Sequence, residues 1–393
     1  MRIYRIGLVA VVVAAAVGWA TPAHAAAGNA YESGSILNFN AGSGTVNNVS
    51  VRLAGANYTI DDTTTITPGF NCKNRVGDLT IVDCVAAGIT EVRIWTNDLN
   101  DVIDYLTPTF SRLFAGDGND TVWGGTGMDW LFGGNGNDYL NAWSGDDQIY
   151  WDAGADQLYG GSGWDYVSYE DTPYAVVLDL DGVADDGGSG EGDLIGSDVE
   201  RLQATAFNDW IVGNDVDNEL FAGGGSDVIV GGGGNDDIYP DYGDGAIGAD
   251  YISGGIGIDR VFYVDHGTAH PIVADLDGAT GDDGATGEGD TIASDMEALG
   301  GSDGNDWLVG NNAVNTIYGG GGDDIIVGYG DNDDLLGEAG NDYLFGGDGN
   351  DRIWGDAGND TLYGENHADT LNGGTGTDFC DVGPGGTSST ACE

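Results

Sequence analysis

The sequence predicts an all-β fold, a solenoid of very short strands, and three observations carry that expectation. From Ala115 to Asp381 the chain falls into units of nine, gathered in three runs. The sixth residue of the unit is acidic and the eighth aliphatic. Glycine supplies 73 of 393 residues and recurs at the first, second and fourth places of the unit. Without a period, that much glycine would mark a flexible chain; with one, it marks repeated turns.

Each place in the unit has a physical task. The glycines permit backbone angles with positive φ, so the chain turns tightly. Gly133-Gly134-Asn135-Gly136-Asn137-Asp138-Tyr139-Leu140-Asn141 is a representative unit. Asp fills the sixth place in 19 of 21 units, with Asn218 and Asn315 as the exceptions. The eighth place is Val, Leu or Ile in every unit but the last, where it is Cys380. Places seven to nine form a strand in which the eighth side chain points inward and its neighbours outward. Two units make one coil, so units 18 residues apart stack on the same side.

Stacking explains the charge. There are 66 acidic and 10 basic residues, a net charge of −56. Only Arg201, Arg260 and Arg352 are basic after Arg112. Nucleic acid is excluded as a partner for want of Lys and Arg, and an anionic membrane surface is disfavoured for the same reason. Along each side of the stack, carboxylates and turn carbonyls recur at about 4.8 Å. Such a column of hard oxygens suits Ca2+ better than Mg2+ or a soft metal. The three runs contain four, two and seven stacked pairs, room for about 13 ions at one per pair. At about 1 mM calcium and a site affinity near 0.1 mM, each ion adds about 1.4 kcal/mol. Each strand buries about one aliphatic side chain, so folding is expected to require calcium.

The units match the pattern G-G-x-G-x-D-x-U-x and resemble the repeats-in-toxin (RTX, haemolysin-type) calcium-binding family over 189 residues. The resemblance implies a right-handed parallel β-roll with Ca2+ between successive turns. It also implies that sixth-place carboxylates and turn carbonyls are the ligands. In the first run this marks Asp120, Asp129, Asp138, Asp147, Asp156 and Asp165. In the second it marks Asp209, Asp227, Asp236, Asp250 and Asp259. In the third it marks Asp306, Asp324, Asp333, Asp342, Asp351, Asp360, Asp369 and Asp378. Sites beside Asn218 and Asn315 are expected to be weak or empty. Phe207, Val216, Ala313, Asp331 and His367 replace the fourth-place glycine, which puts their turns in question.

The chain divides by the same logic. Residues 1–25 read as an export signal: Arg2 and Arg5, an apolar stretch from Ile6 to Ala20, then Ala23-His24-Ala25 as a cleavage site. The mature protein is therefore expected outside the cell, with no membrane span. Residues 26–114 are strand-like but aperiodic, a β-rich cap in which 97–104 resembles a worn repeat with Asp101 at its sixth place. The repeat runs occupy 115–168, 204–262 and 301–381, and 382–393 form a tail. Acidic inserts at 169–203 and 263–300 resemble each other at an offset of 96 or 97 residues, a duplication. Asp181, Asp185, Asp186 and Glu191 in the first could hold an extra ion, against the simpler reading of a solvated loop. Of three disulfide connectivities the local one, Cys72 with Cys84 and Cys380 with Cys392, is favoured, each bond adding about 3 kcal/mol.

No catalytic site is expected. Gly300-Gly301-Ser302-Asp303-Gly304 fits a nucleophile elbow but lies within the repeat register. His266 and His270 have the spacing of a zinc-protease helix, with Gly267 where the catalytic Glu would stand. Besides calcium, surface glycans or another secreted protein are candidate partners. Trp123, Trp130, Tyr139, Tyr159, Trp354 and Tyr363 point outward, and rings on a flat sheet can stack on sugars. Trp123 and Tyr159 share a face; Trp130 and Tyr139 do not.

Overall fold

The computed structural model describes residues 27–242, 247–264, 266, 270–386 and 388–392, so the expected export signal lies outside the described residues. The predicted stacking is present. Thr121–Trp123 pairs in parallel with Tyr139–Asn141, and that strand with Gln157–Tyr159, at 18-residue offsets. On the opposite side Ser111–Asp117, Asp129–Asn135, Gln148–Tyr150 and Tyr166–Ser168 do the same. The fold is the expected β-roll.

The eighth-place side chains fill the narrow interior. From Val122 and Leu131 in the first run to Leu362 and Leu371 in the third they are buried, while the seventh and ninth places are at least partly open apart from Ser168 and Phe221. Cys380 is half-buried and bonded to Cys392, and Cys72 bonds to Cys84 directly across an antiparallel pair. Both expected pairings are present.

The two faces of the roll differ. One is a single sheet of 18 strands, extending from the N-terminal part to Ser388–Thr390. The other breaks into sheets of nine, six and six strands, and the breaks fall at the two inserts. In the first insert, Leu194–Ile195 ends one sheet while Val176–Asp179 opens the next. In the second, Thr291–Ile292 and Val273–Asp275 repeat the arrangement. The long face crosses each insert unbroken: Tyr166–Ser168 pairs with Arg201–Gln203, and Arg260–Phe262 with Ala298–Gly300.

The coils begin before Ala115. Glu91–Asp98 and Val102–Leu106 pair in parallel with Ser111–Asp117 and Thr121–Trp123, so the worn repeat is a full member of the stack. Ahead of it Ile36–Asn40 and Asn48–Ala54 add parallel strands to the two faces, and antiparallel partners then cover those strands. The N-terminal part is thus a β-rich cap.

The doubtful turns are rebuilt in two ways. Asp331 and His367 adopt the glycine conformation, with φ of 66° and 77°. At Phe207, Val216 and Ala313 the second-place side chain accepts the fourth-place N–H instead. Thr205 Oγ1 does so at 3.0 Å, Asn214 Oδ1 at 3.0 Å and Asn311 Oδ1 at 2.8 Å.

Candidate metal centres

Sixth-place carboxylates form ladders along each side of the roll. The backbone N–H of one donates to Oδ1 of its counterpart in the next coil. In the first run Asp101, Asp120, Asp138, Asp156 and Asp193 are linked in this way at 2.6–2.9 Å. On the other side run Asp129, Asp147, Asp165 and Glu200. The second run links Asp209, Asp227, Asp250 and Asp290, and separately Asn218, Asp236, Asp259 and Glu297. The third links Asp306, Asp324, Asp342, Asp360 and Asp378, and separately Asn315, Asp333, Asp351 and Asp369. Every acid expected from the repeat is on a ladder.

Five ladder members escape the nonapeptide count: Asp101, assigned from sequence only to a worn repeat, with Asp193, Asp290, Glu200 and Glu297 in the inserts. Each insert acid precedes a residue pair whose second member is apolar and buried, Ile195, Ile292, Leu202 and Leu299. The signal was therefore an acid two places before an aliphatic residue, without the regular G-G-x-G spacing.

The second carboxylate oxygen separates the ladder members into two groups. At Asp129, Asp209 and Asp306 it accepts from the turn: Gly125 N–H at 2.5 Å, Thr205 N–H at 2.8 Å and Ser302 N–H at 2.6 Å. At Asp193 and Asp290 it accepts from the buried hydroxyls of Tyr169 and Tyr263, at 2.8 and 2.9 Å. In contrast, among the described residues Oδ2 is buried with no hydrogen-bond partner at Asp120, Asp138, Asp147, Asp165, Asp227, Asp236, Asp250, Asp259, Asp324, Asp333, Asp342, Asp351, Asp360 and Asp378. A buried acceptor with no donor is costly. These oxygens sit where first-place glycines leave room. A Cβ on Gly319 would lie 2.5 Å from Asp324 Oδ2 and 2.7 Å from the Gly337 carbonyl oxygen.

Burial pushes these carboxyls up, and neighbouring acids add to the effect. Asp324 rises to about 8 with help from Asp306 and Asp342, and Asp333 to about 8 with help from Asp351. Asp147 and Asp227 likewise reach about 8, Asp138 and Asp342 about 7, Asp120 and Asp351 about 6. A column of stacked carboxylates with unpartnered oxygens beside carbonyls fits a hard divalent cation, which would satisfy the oxygens and cancel the repulsion.

Asn218 and Asn315 need no ion. Their Oδ1 accepts Asn214 and Asn311 N–H at 2.8 and 2.7 Å, and their amide donates to the Glu200 and Glu297 carbonyls. In the first insert Asp186 accepts Asp179 and Ile195 N–H at 2.6 and 2.9 Å, and Glu191 accepts Gly188 N–H and the Tyr174 hydroxyl. Asp181 and Asp185 converge with Asp179 in an open cluster.

Among the described residues, groups of three or more acidic or histidine side chains within 4.8 Å of one another also occur at Asp138, Asp152 and Asp156, at Asp241, Asp250 and Asp290, at Asp241, His266 and Glu288, and at Asp275, Asp277 and Asp282. Ser302 is buried and its Oγ contacts Asp306, so it is a turn residue rather than an exposed nucleophile. His270 Nδ1 meets the His266 carbonyl, while Gly267 lies outside the described residues. No described helix is long and apolar enough to cross a membrane.

No curated protein matches the chain. A family model for the RTX calcium-binding nonapeptide repeat matches residues 112–150, 152–171, 194–215, 203–238, 212–247, 300–335, 327–362 and 345–380. Those segments carry most of the ladder acids, though not Asp101, Asp193, Asp250, Asp259, Asp290 or Glu297, and the segment from 194 takes in Glu200, outside the regular nines. The family is one of calcium binding and roll formation rather than catalysis. By its period, its roll and these matches, the chain belongs to the RTX calcium-binding repeat family.

Proposed function

We propose that this is a secreted protein whose sixth-place carboxylates hold Ca2+ between successive turns, and that those ions couple its folding to the calcium-rich exterior. The observation that carries the reading is the row of buried Oδ2 atoms with no donor. The proposed ligands are the acids named from the sequence together with turn carbonyls, about 13 ions in all. Asp129, Asp209 and Asp306 contribute least, because turn donors already occupy their second oxygen. Asp193 and Asp290 extend the columns through the inserts. Export by the N-terminal segment and the two disulfides agree with an oxidising compartment.

Glycan binding has less support. Trp95, Phe114, Phe132 and Tyr150 stack on one another at 5.3, 4.6 and 4.6 Å, and Tyr139 sits between Trp123 and Tyr159 at 5.1 and 5.4 Å. Tyr363 stacks on Phe345. The first row and Tyr363 pack face to face and the Trp123–Tyr139–Tyr159 row is tilted at 48° and 41°, so the rings contact one another along the sheet more than they present free faces to a sugar. Counting bound calcium by calorimetry and native mass spectrometry tests the proposal. It expects about 13 ions per chain; one or two would contradict it.

A further inference from the structure

We propose that Asp241, His266 and Glu288 form a separate site for a borderline divalent cation of the Zn2+ class, beside the calcium column. The His266 side chain is 1% exposed, that of Asp241 8% and that of Glu288 fully buried. His266 Nε2 lies 3.2 Å from Glu288 Oε1 and 3.5 Å from Asp241 Oδ2. A single N–H cannot serve both carboxylates. Among the described residues neither buried Asp241 oxygen receives a backbone or hydroxyl donor, and its carboxyl meets that of Glu288. The other neighbours of Asp241 are the ladder carboxylates of Asp250 and Asp290. Among the described residues no Lys or Arg forms an ion pair with any of these acids.

The duplicated insert provides an internal comparison. Thr172 stands where His266 does: each donates its N–H to the carbonyl of a buried tyrosine three residues earlier, Tyr169 at 2.9 Å and Tyr263 at 3.3 Å. Glu191 corresponds to Glu288, each accepting a backbone N–H from three residues earlier. Asp152 corresponds to Asp241, both being acids two residues beyond a strand-end tyrosine. In the threonine copy the acids have protein donors: Asp152 accepts Gly134 N–H and Glu191 accepts the Tyr174 hydroxyl. In the histidine copy Asp241 and the second Glu288 oxygen turn to the imidazole. An imidazole nitrogen with two carboxylates favours Zn2+ and its first-row neighbours, whereas Ca2+ prefers oxygen alone. Three protein ligands also leave room for a water or a further ligand.

The test uses the full mature chain in millimolar calcium, stripped of transition metals and titrated with Zn2+ by calorimetry. The expected result is one Zn2+ per chain that calcium does not displace. His266→Thr, the residue of the twin insert, should weaken Zn2+ binding by more than about 100-fold, since loss of even an outer-shell partner costs about 10- to 100-fold. Its circular dichroism and calcium stoichiometry should stay unchanged, so failure here is distinct from failure of the calcium reading. His367→Ala should bind Zn2+ as the wild type does. Pulsed electron paramagnetic resonance of Cu2+ bound to the wild type gives a second readout that needs no variant: one coordinated imidazole nitrogen is expected. Absence of Zn2+ binding in calcium, undiminished binding in folded His266→Thr, or an all-oxygen Cu2+ signal would overturn the proposal.

Discussion

At the sixth place of most repeats, one carboxylate oxygen holds the preceding coil and the other has no described donor. Asp342 is typical: its Oδ1 takes Asp324 N–H at 2.9 Å, and its Oδ2 is buried and unpartnered. Asp342→Asn should bind about one ion fewer and lose about 1.4 kcal/mol in calcium but little in chelator, by thermal unfolding in the two buffers. Asp306→Asn should leave the ion count unchanged, because Ile272 and Ser302 already donate to its two oxygens. The raised carboxyls also give a sign for pH. Ordinary Asp in the unfolded chain titrates near 3.9, whereas Asp324 and Asp333 titrate at about 8 and Asp351 at about 6 in the calcium-free fold. Their contribution is present below about pH 4 and lost as pH rises through about 6 to 8. Chelated protein should therefore show more β signal at pH 5 than at pH 8, and calcium should remove that difference; a chelated protein more ordered at pH 8 would contradict it. Backbone limits are equally local. Gly340 has φ of 152°, and a Cβ there would strike the Gly322 carbonyl, so Gly340→Ala should cost about 1–3 kcal/mol or more, measured by denaturation in calcium.

Among elements, the regular coil was legible, and its interruptions were legible in position but not in their ladder acids or pairing. The nine-residue period assigned the turn, the short strand and the inward aliphatic side chain because each rests on a fixed residue type. The inserts hid their ladder acids because the glycine spacing is broken: Asp193 and Asp290 keep glycines nearby, but Glu191 and Glu288 stand where the fourth-place glycine would be. Glu200-Arg201-Leu202 keeps the acid and the buried leucine but is preceded by a turn without the glycine pattern, closed by Val199 N–H on the Gly196 carbonyl. Nor does composition reveal that an insert interrupts one face only, since this depends on which strands re-pair across 35 to 40 residues. The five extra residues between Asp236 and Asp250 were easier: Val228–Gly233 still pairs with Tyr251–Ile256, at a 23-residue offset. The last coil depends on its staple. Cys380 replaces an aliphatic core residue, and its bond to Cys392 holds a tail whose strand Ser388–Thr390 is exposed. Replacing both cysteines by serine should remove up to about 3 kcal/mol and raise hydrogen exchange in that coil alone; faster exchange throughout the roll would show that the staple does more than close the end.

Across the whole molecule, the continuous long face gives the roll its axis and the ladders give it its charge. Arg201, Arg260 and Arg352 each pair with an acid one coil away, Glu219, Asp237 and Asp334. Those contacts leave most of the net charge of −56 uncompensated, and a compact body with that charge repels itself. A core one side chain deep cannot offset both the repulsion and the ordering of nine residues per strand. Calcium answers both demands at the same atoms. The most direct test is small-angle scattering with far-ultraviolet circular dichroism on chelated protein at neutral pH, before and after calcium is restored. An expanded chain with little β signal that collapses to the roll on calcium addition is the predicted result; an unchanged compact roll in chelator would contradict it.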